Sequence, residues 1–272
     1  MRLRKTAAVS VLALAAGSIG MIAPATAATA PTDFTCTTPI GDRTFVTTVD
    51  TDLPTSVEYG GSVSGTSTST VEIPDDLMDL ARNVLGAESA DGTTTWKEGA
   101  ADVVKPVPST PIPDDGPLVL SASGPIAAMK ADKVGKMAYT VASYTGAISL
   151  KNGAGAEAIA INTECTPAAA PTADTVNVTK AKTKTTAKVK GKKKKAVVKV
   201  SVKATHGTKA GGKVVVKVKQ GKKTTKAKGV VKNGKAKVVV KKLKKGKAKV
   251  TVAYKGDKNH AGSKGKGKTK IR

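Results

Sequence analysis

The chain has 272 residues, with 46 Lys+Arg against 20 Asp+Glu and a formal net charge of +26 at pH 7. The charge is unevenly divided. Residues 31–170 hold 8 basic and 18 acidic side chains, whereas residues 171–272 hold 35 basic and two acidic ones. Such a division excludes a uniformly charged single unit, and it predicts two units, one of which has an anionic partner.

The first 27 residues have the layout of a secretory signal peptide. A basic segment at residues 2–5 precedes the short apolar stretch Ala7–Ala16, and small residues lead to a cleavage site that we place after Ala27. A retained membrane anchor is the alternative, but glycines and a proline interrupt the run, and it is short for a span. We therefore expect a secreted protein, extracellular or associated with the cell wall, whose mature chain has no membrane span.

The two cysteines, Cys36 and Cys165, bracket most of the acidic half. In an exported chain an even pair predicts a disulfide. A catalytic thiol or a metal ligand is the alternative, but both histidines, His206 and His260, lie in the basic half and are too few for a zinc site. We expect no metal and no cofactor.

Residues 31–167 predict a disulfide-closed, acidic β-rich domain with one helix. The segment Thr44–Val49 is β-branched and aromatic, and it can pair with the Thr/Ser/Val-rich segment Ser62–Ile73. Apolar residues at helical spacing between Pro74 and Gly86 predict a helix. The proline-rich stretch Val103–Pro113 predicts an edge strand or an extended connection. Further strands are predicted at residues 117–123, 136–144, 146–150 and 158–165.

This acidic half also resembles a known domain. The opening Phe34–Gly41 (FTCTTPIG), a proline-rich Val107–Pro113 before Gly116–Leu120 (GPLVL), and the closing Asn162–Pro167 (NTECTP) carry the resemblance. Together they are similar to an uncharacterised β-rich domain of secreted actinobacterial proteins with a paired-cysteine frame. The resemblance implies a compartment and a fold, and it assigns no activity.

Carboxylates are frequent in the acidic half, and paired carboxylates can serve glycoside hydrolysis. Asp75 and Asp76, however, stand at the start of the predicted helix, where acids meet the helix dipole favourably. Asp114 and Asp115 lie in a Pro-Asp-Asp-Gly turn, where Asp is expected. The lone tryptophan, Trp96, is better explained as a core residue than as a sugar platform. We predict that the protein is not an enzyme, and an extracellular hydrolase with a basic wall anchor is the alternative.

After a linker at residues 168–173, residues 174–272 predict a lysine-rich sandwich. Valine alternates with lysine through segments such as Val198–Lys203 and Val214–Lys219, and glycine turns separate the segments. Alternation with period two is typical of half-buried antiparallel strands. Several short strands of this kind favour a β-sandwich over a disordered, histone-like tail. The predicted fold class is therefore mainly β, with two sandwich-like domains.

The end of this half carries a second resemblance. Asn233–Ala236 (NGKA), Leu243–Gly246 (LKKG) and Val250–Ser263 (VTVAYKGDKNHAGS) are similar to the bacterial Ig-like (Big) repeat. The resemblance implies an Ig-like sandwich that acts as a noncatalytic spacer or adhesion module. His260 stands where that family usually has an aromatic residue, and lysine occupies positions that are usually Thr, Ser or acidic.

The lysine-rich surface predicts a partner that is an anionic cell-wall polymer, such as teichoic acid, or an acidic glycan. Lysine binds as a point charge, and Arg272 is the only arginine here, so binding is expected to be blind to sequence. Nonspecific extracellular DNA is a further alternative. We expect a monomer. The densest lysine runs are the candidate polyanion-binding residues: Lys192, Lys193, Lys194, Lys195, Lys241, Lys242, Lys244 and Lys245.

Overall fold

The structure, a computed structural model, describes residues 27–272. The signal peptide predicted for residues 1–27 lies outside this range except for its last residue. Of the described residues, 69% are in strands and 5% are in helices, which confirms the mainly β class. Two units follow one another along the chain, each with its own buried core.

The first unit consists of eleven strands, which form a single connected sheet, and one helix. The elements are β1 (Ala27–Ala28), β2 (Thr32–Thr38), β3 (Gly41–Thr51), β4 (Ser56–Glu58), β5 (Ser62–Ile73), α1 (Asp75–Asn83), β6 (Ser89–Glu98), β7 (Ala101–Pro111), β8 (Leu118–Lys130), β9 (Gly135–Lys151), β10 (Glu157–Pro167) and β11 (Thr172–Thr179).

Eight of these strands roll into a nearly closed sheet in the order β7-β6-β9-β10-β2-β3-β5-β8. The two outer strands, β7 and β8, approach each other without pairing. At Gly124 of β8 a Cβ would lie 2.8 Å from the carbonyl oxygen of Val104, so only glycine allows this contact. An eight-stranded sheet rolled in this way encloses an interior that side chains fill, or that holds one small ligand. Helix α1 packs over one end of it through Met78 and Ala81.

Most expectations for the first unit are confirmed. Strand β3 pairs with β5, the predicted helix forms over Asp75–Asn83, and Trp96 is fully buried. The proline-rich strand β7 pairs only with β6, as expected of an edge. The prediction of two strands at 136–144 and 146–150 was wrong: β9 is continuous, because β6 and β10 pair with it on both sides of Thr145.

The predicted disulfide is confirmed. Cys36 and Cys165 face each other directly on the neighbouring strands β2 and β10, and their sulfurs are bonded at 2.02 Å. The bond therefore joins an early strand of the rolled sheet to a late one, with a sequence separation of 129 residues.

The linker predicted at residues 168–173 ends inside β11. This strand pairs antiparallel with β9 and parallel with β4, and its residues Ala173 and Val176 are buried in the first core. The composition changes near residue 171, but the alternating valines of β11 fit the apolar surface of the first unit. The structural boundary therefore lies after Thr179, several residues beyond the change in charge.

The second unit is an Ig-like sandwich of seven antiparallel strands. Strands β12, β13 and β16 form one sheet, and β15, β14, β17 and β18 form the other. Most of the valines face inward into one core with Tyr254, whereas Val230 and Val239 are exposed, and the lysines face outward. The strands are β12 (Thr183–Lys192), β13 (Lys195–Ala204), β14 (Gly212–Gln220), β15 (Lys223–Val231), β16 (Lys235–Lys241), β17 (Gly246–Tyr254) and β18 (Ser263–Ile271).

The two units touch through β4 and the loops at one end of the sandwich. Glu58 lies 3.0 Å from Lys182 Nζ, and its Oε2 accepts a hydrogen bond of 2.6 Å from Thr205 Oγ1. The Tyr59 ring meets the His260 ring edge-on at 5.6 Å. The opposite charges of the two units therefore meet in a specific contact at this junction.

Candidate polyanion-binding surface

All eight predicted polyanion-binding lysines are exposed, and they gather at the end of the sandwich that lies farthest from the junction. Here the chain turns from β12 to β13, from β14 to β15 and from β16 to β17, and here β18 ends. Because the strands are antiparallel, lysine runs distant in sequence meet at one end. We define the cationic pole as Lys192, Lys193, Lys194, Lys195, Lys222, Lys223, Lys241, Lys242, Lys244, Lys245 and Arg272.

Backbone hydrogen bonds hold the turns of the cationic pole together. The Leu243 amide donates to the Lys194 carbonyl at 3.1 Å, and the Lys194 amide donates to the Arg272 carbonyl at 3.3 Å. The Gln220 side chain donates to the Lys244 carbonyl at 2.7 Å and accepts from its amide at 3.1 Å. The pole is therefore a fixed array of charges rather than a set of independent loops.

Lysine occupies strained turn positions within this pole. Lys194 has φ of 55° and Lys242 has φ of 61°, which is the left-handed region that favours glycine or asparagine. A residue with a Cβ costs about 1–2 kcal/mol more than glycine there. The sequence thus retains a charge at both turns at the expense of stability.

Rows of lysine also cross the outer faces of both sheets. Lys188, Lys199 and Lys237 stand directly opposite one another on β12, β13 and β16. Lys219, Lys249 and Lys268 form the corresponding row on β14, β17 and β18. Like charges directly opposite each other destabilise a sheet. Within the described residues, Lys182 is the one lysine of this unit with a salt bridge.

Lys222, Lys223 and Arg272 also belong to the cationic pole, although they were not among the predicted binding residues. They lie far along the chain from the two dense lysine runs, and strand register alone brings them to the same end. The turn signal at Gly221 between two alternating segments could have identified the first two. Arg272 could be placed only once β18 was known to run beside β17.

The structure shows the surroundings of the carboxylates at the start of α1 and in the turn after β7. Asp75 and Asp79 both bind Arg82, at 2.6 and 2.8 Å, and these contacts raise the pKa of the Arg82 guanidinium. Asp114 and Asp115 are exposed in their turn. Among residues 27–272 no three His, Cys, Asp or Glu side chains are grouped so that they could hold a metal ion.

A buried ion pair inside the rolled sheet was not predicted. Lys105 Nζ lies 2.6 Å from Glu98 Oε1 and donates to Ser67 Oγ and Ser69 Oγ at 2.8 and 2.5 Å. Tyr139 donates to Glu98 Oε2 at 2.7 Å. Burial lowers the pKa of Lys105, although Glu98 opposes this effect. Lys105 shares a strand face with the apolar residues Val103 and Val107, and this spacing was a usable signal that the lysine points inward.

Comparison with known proteins places the first unit in a family. Residues 33–176 match the DUF6801 family, a family of unknown function. The chain belongs to this family. The matched region of this DUF6801 protein runs from β2 into β11, so it coincides closely with the first sheet. No curated protein matches the chain.

Solved structures give only distant likenesses. A protein described as membrane anchored, from Corynebacterium diphtheriae, is 14% identical with a TM-score of 0.42, and the match covers 90% of this chain and 58% of that one. The β-glucuronidases of Ruminococcus gnavus and Lactobacillus rhamnosus are each 11% identical with a TM-score of 0.23, over 79% of this chain and 36% of theirs. This chain thus spans less than two thirds of each. In its described part, residues 27–272, no helix is long and apolar enough to cross a membrane.

Proposed function

We propose that this protein is a noncatalytic, exported binding protein, which its lysine-rich sandwich attaches to anionic polymers outside the cell. The observation that carries the proposal is the cationic pole, in which several separate turns and the chain end contribute lysine or arginine. The acidic side chain nearest in sequence to any pole residue is Asp257, which lies at the junction end of the sandwich.

Electrostatic attraction to a polyanion follows directly from this arrangement. Each phosphate or carboxylate that a lysine neutralises releases a counterion, and the released ions drive binding at low salt. The lysine rows add to this effect, because an anionic polymer lying across Lys188, Lys199 and Lys237 would relieve their mutual repulsion. Because hydrogen bonds already fix the backbone of the cationic pole, binding requires little further ordering of these turns.

The partner that we propose is an anionic wall polymer such as teichoic acid, or an acidic glycan. Such polymers present a regular row of charges without base edges, which suits point charges on a rigid array. The aromatic residue of the sandwich, Tyr254, is buried, so this unit offers no exposed platform for stacking nucleobases. Nonspecific DNA therefore remains the weaker of the two candidates.

The test is retention of the full chain on purified cell wall, and on DNA, at increasing salt. We expect retention to fall steeply as salt rises, with wall polymer binding more tightly than DNA. The pole variant carries four substitutions: Lys193→Gln, Lys195→Gln, Lys241→Gln and Lys244→Gln. On DNA it should reduce the slope of log K against log salt concentration by about 0.7–0.9 for each contact removed.

The matched control removes four lysines at the junction end, through Lys209→Gln, Lys232→Gln, Lys255→Gln and Lys258→Gln. The net charge is then equal in the two variants. Retention that ignores salt would contradict the proposed function. An equal loss in the two variants would contradict the assignment of binding to the cationic pole.

A further inference from the structure

The first unit contains an apolar cavity of about 130 Å³ between α1 and the inner surface of the rolled sheet. Trp96 and Tyr144 lie at its inner end, where their rings stack at 4.1 Å. Leu77 and Met78 of α1 form one wall, and Ile148 of β9 lies on another. The interior of this sheet is therefore not completely filled by its own side chains.

The cavity has an apolar rim at the protein surface. Ile40, in the turn between β2 and β3, is 50% exposed, and Leu80 of α1 is 38% exposed. Both line the cavity. Large apolar side chains left in water beside an apolar cavity mark a surface that a ligand can cover.

We propose that this cavity binds the alkyl chain of a fatty acid. The end of the chain lies against Trp96 and Tyr144, and the remaining methylene groups pass between Ile40 and Leu80. The size is suitable, because an apolar cavity of about 150 Å³ in another protein stays free of water and takes up benzene. Each methylene group that leaves water stabilises the complex by about 0.8 kcal/mol.

The charge at the rim favours a carboxylate head group. Arg43 lies on the same face of β3 as Phe45, which lines the cavity, and the same hairpin carries Ile40. Arg43 Nε lies 3.5 Å from Asp76 Oδ2, a long contact with an exposed partner. A carboxylate at the rim would thus meet a guanidinium that lacks a short ion pair.

The single tryptophan makes the test direct. Trp96 lines the cavity, so its fluorescence reports occupancy in the full chain. Terminally brominated dodecanoic acid, added below its micelle concentration, should quench Trp96 in a saturable manner. The brominated methyl ester should bind more weakly, because it lacks the charge that meets Arg43.

Two variants locate the binding. Ala81→Phe fills the cavity and should weaken binding by about tenfold or more, since excluding two methylene groups removes that much transfer free energy. Val84→Phe is its control, because Val84 directly follows α1 and is 70% exposed. Ile40→Asp at the exposed rim should also weaken binding, and it guards against misfolding of the Ala81 variant.

Several outcomes would overturn the proposal. These are quenching that does not saturate, and equal quenching in the Ala81→Phe and Val84→Phe variants when circular dichroism shows both folded. Undiminished binding by the Ile40→Asp variant would also count against it. Tighter binding of the methyl ester than of the acid would overturn the carboxylate assignment.

Discussion

Lys105 Nζ lies 2.6 Å from Glu98 Oε1, and neither side chain has any exposed surface. Replacing one partner leaves the other charge buried without compensation. We expect Lys105→Met to lower the free energy of unfolding by about 3–5 kcal/mol, measured by urea denaturation.

The double variant Lys105→Met with Glu98→Gln is the control. It removes both charges but keeps an acceptor for the Tyr139 hydroxyl, so it should be more stable than the single variant. If the double variant loses as much stability as the sum of the two single ones, the two residues are not coupled as the geometry indicates.

Loss of the disulfide should destabilise the first unit. Cys36→Ser with Cys165→Ser opens a loop whose ends are 129 residues apart in sequence. In the chain-entropy picture the closed loop contributes about 5 kcal/mol, so the denaturation midpoint should fall. Reduction of the wild-type protein should reproduce the effect. A midpoint unchanged by both treatments would show that the paired strands β2 and β10 suffice.

Repulsion within the lysine rows should weaken as salt rises, so the free energy of unfolding of the sandwich should increase with salt. Lys199 has Lys188 and Lys237 directly opposite it, so Lys199→Glu replaces two repulsive pairs with two attractive ones. We expect a gain of about 0.2–1 kcal/mol for each pair at low salt, shrinking as salt rises. Lys209→Glu, in the loop after β13, is the control of equal charge. An equal gain from both would attribute the effect to net charge alone.

Glu58 should make the junction sensitive to acid. Hydrogen bonds from the Thr205 hydroxyl and from Lys182 hold the pKa of Glu58 at about 2 instead of 4.5. Because the folded-state pKa is lowered, its contribution to stability is complete above about pH 4.5 and disappears as the pH falls through about 2. Titration of this carboxyl by NMR measures the shift directly.

Glu58→Gln should remove this component from the acid dependence of unfolding, whereas Glu72→Gln, an exposed position on β5, should not. A Glu58 carboxyl that titrates near its ordinary value would show that the contacts to Thr205 and Lys182 do not persist in solution.

Much of the fold could be predicted from local pattern. The alternation of Val198–Lys203 identifies a strand and its two faces, and the spacing of Leu77 and Leu80 identifies α1. The pairing of Cys36 with Cys165 followed from the cysteine count and from the expectation of export. The strand and helix patterns depend on residues close in sequence, and two cysteines allow only one intramolecular disulfide. The sequence was therefore sufficient for these features.

What could not be predicted depends on register and closure. Strand β11 belongs to the first sheet because Val176 packs in the first core. In the sequence, however, β11 lies after residue 171, where the lysine-rich composition begins. The contact of Gly124 with Val104, which brings the two edges of the rolled sheet together, joins distant parts of the chain. The cavity follows from that closure, so no segment of sequence revealed it.

The up-and-down course of the sandwich strands has a consequence for how the protein approaches a surface. Six of the seven sandwich strands have nine or ten residues, so about 30 Å separates the cationic pole from the junction. With the acidic unit beyond the junction, the molecule has a large electric dipole along its length. In the field of an anionic surface such a dipole turns the protein end-on before contact. The acidic unit, with its cavity, would then face outward from the polymer.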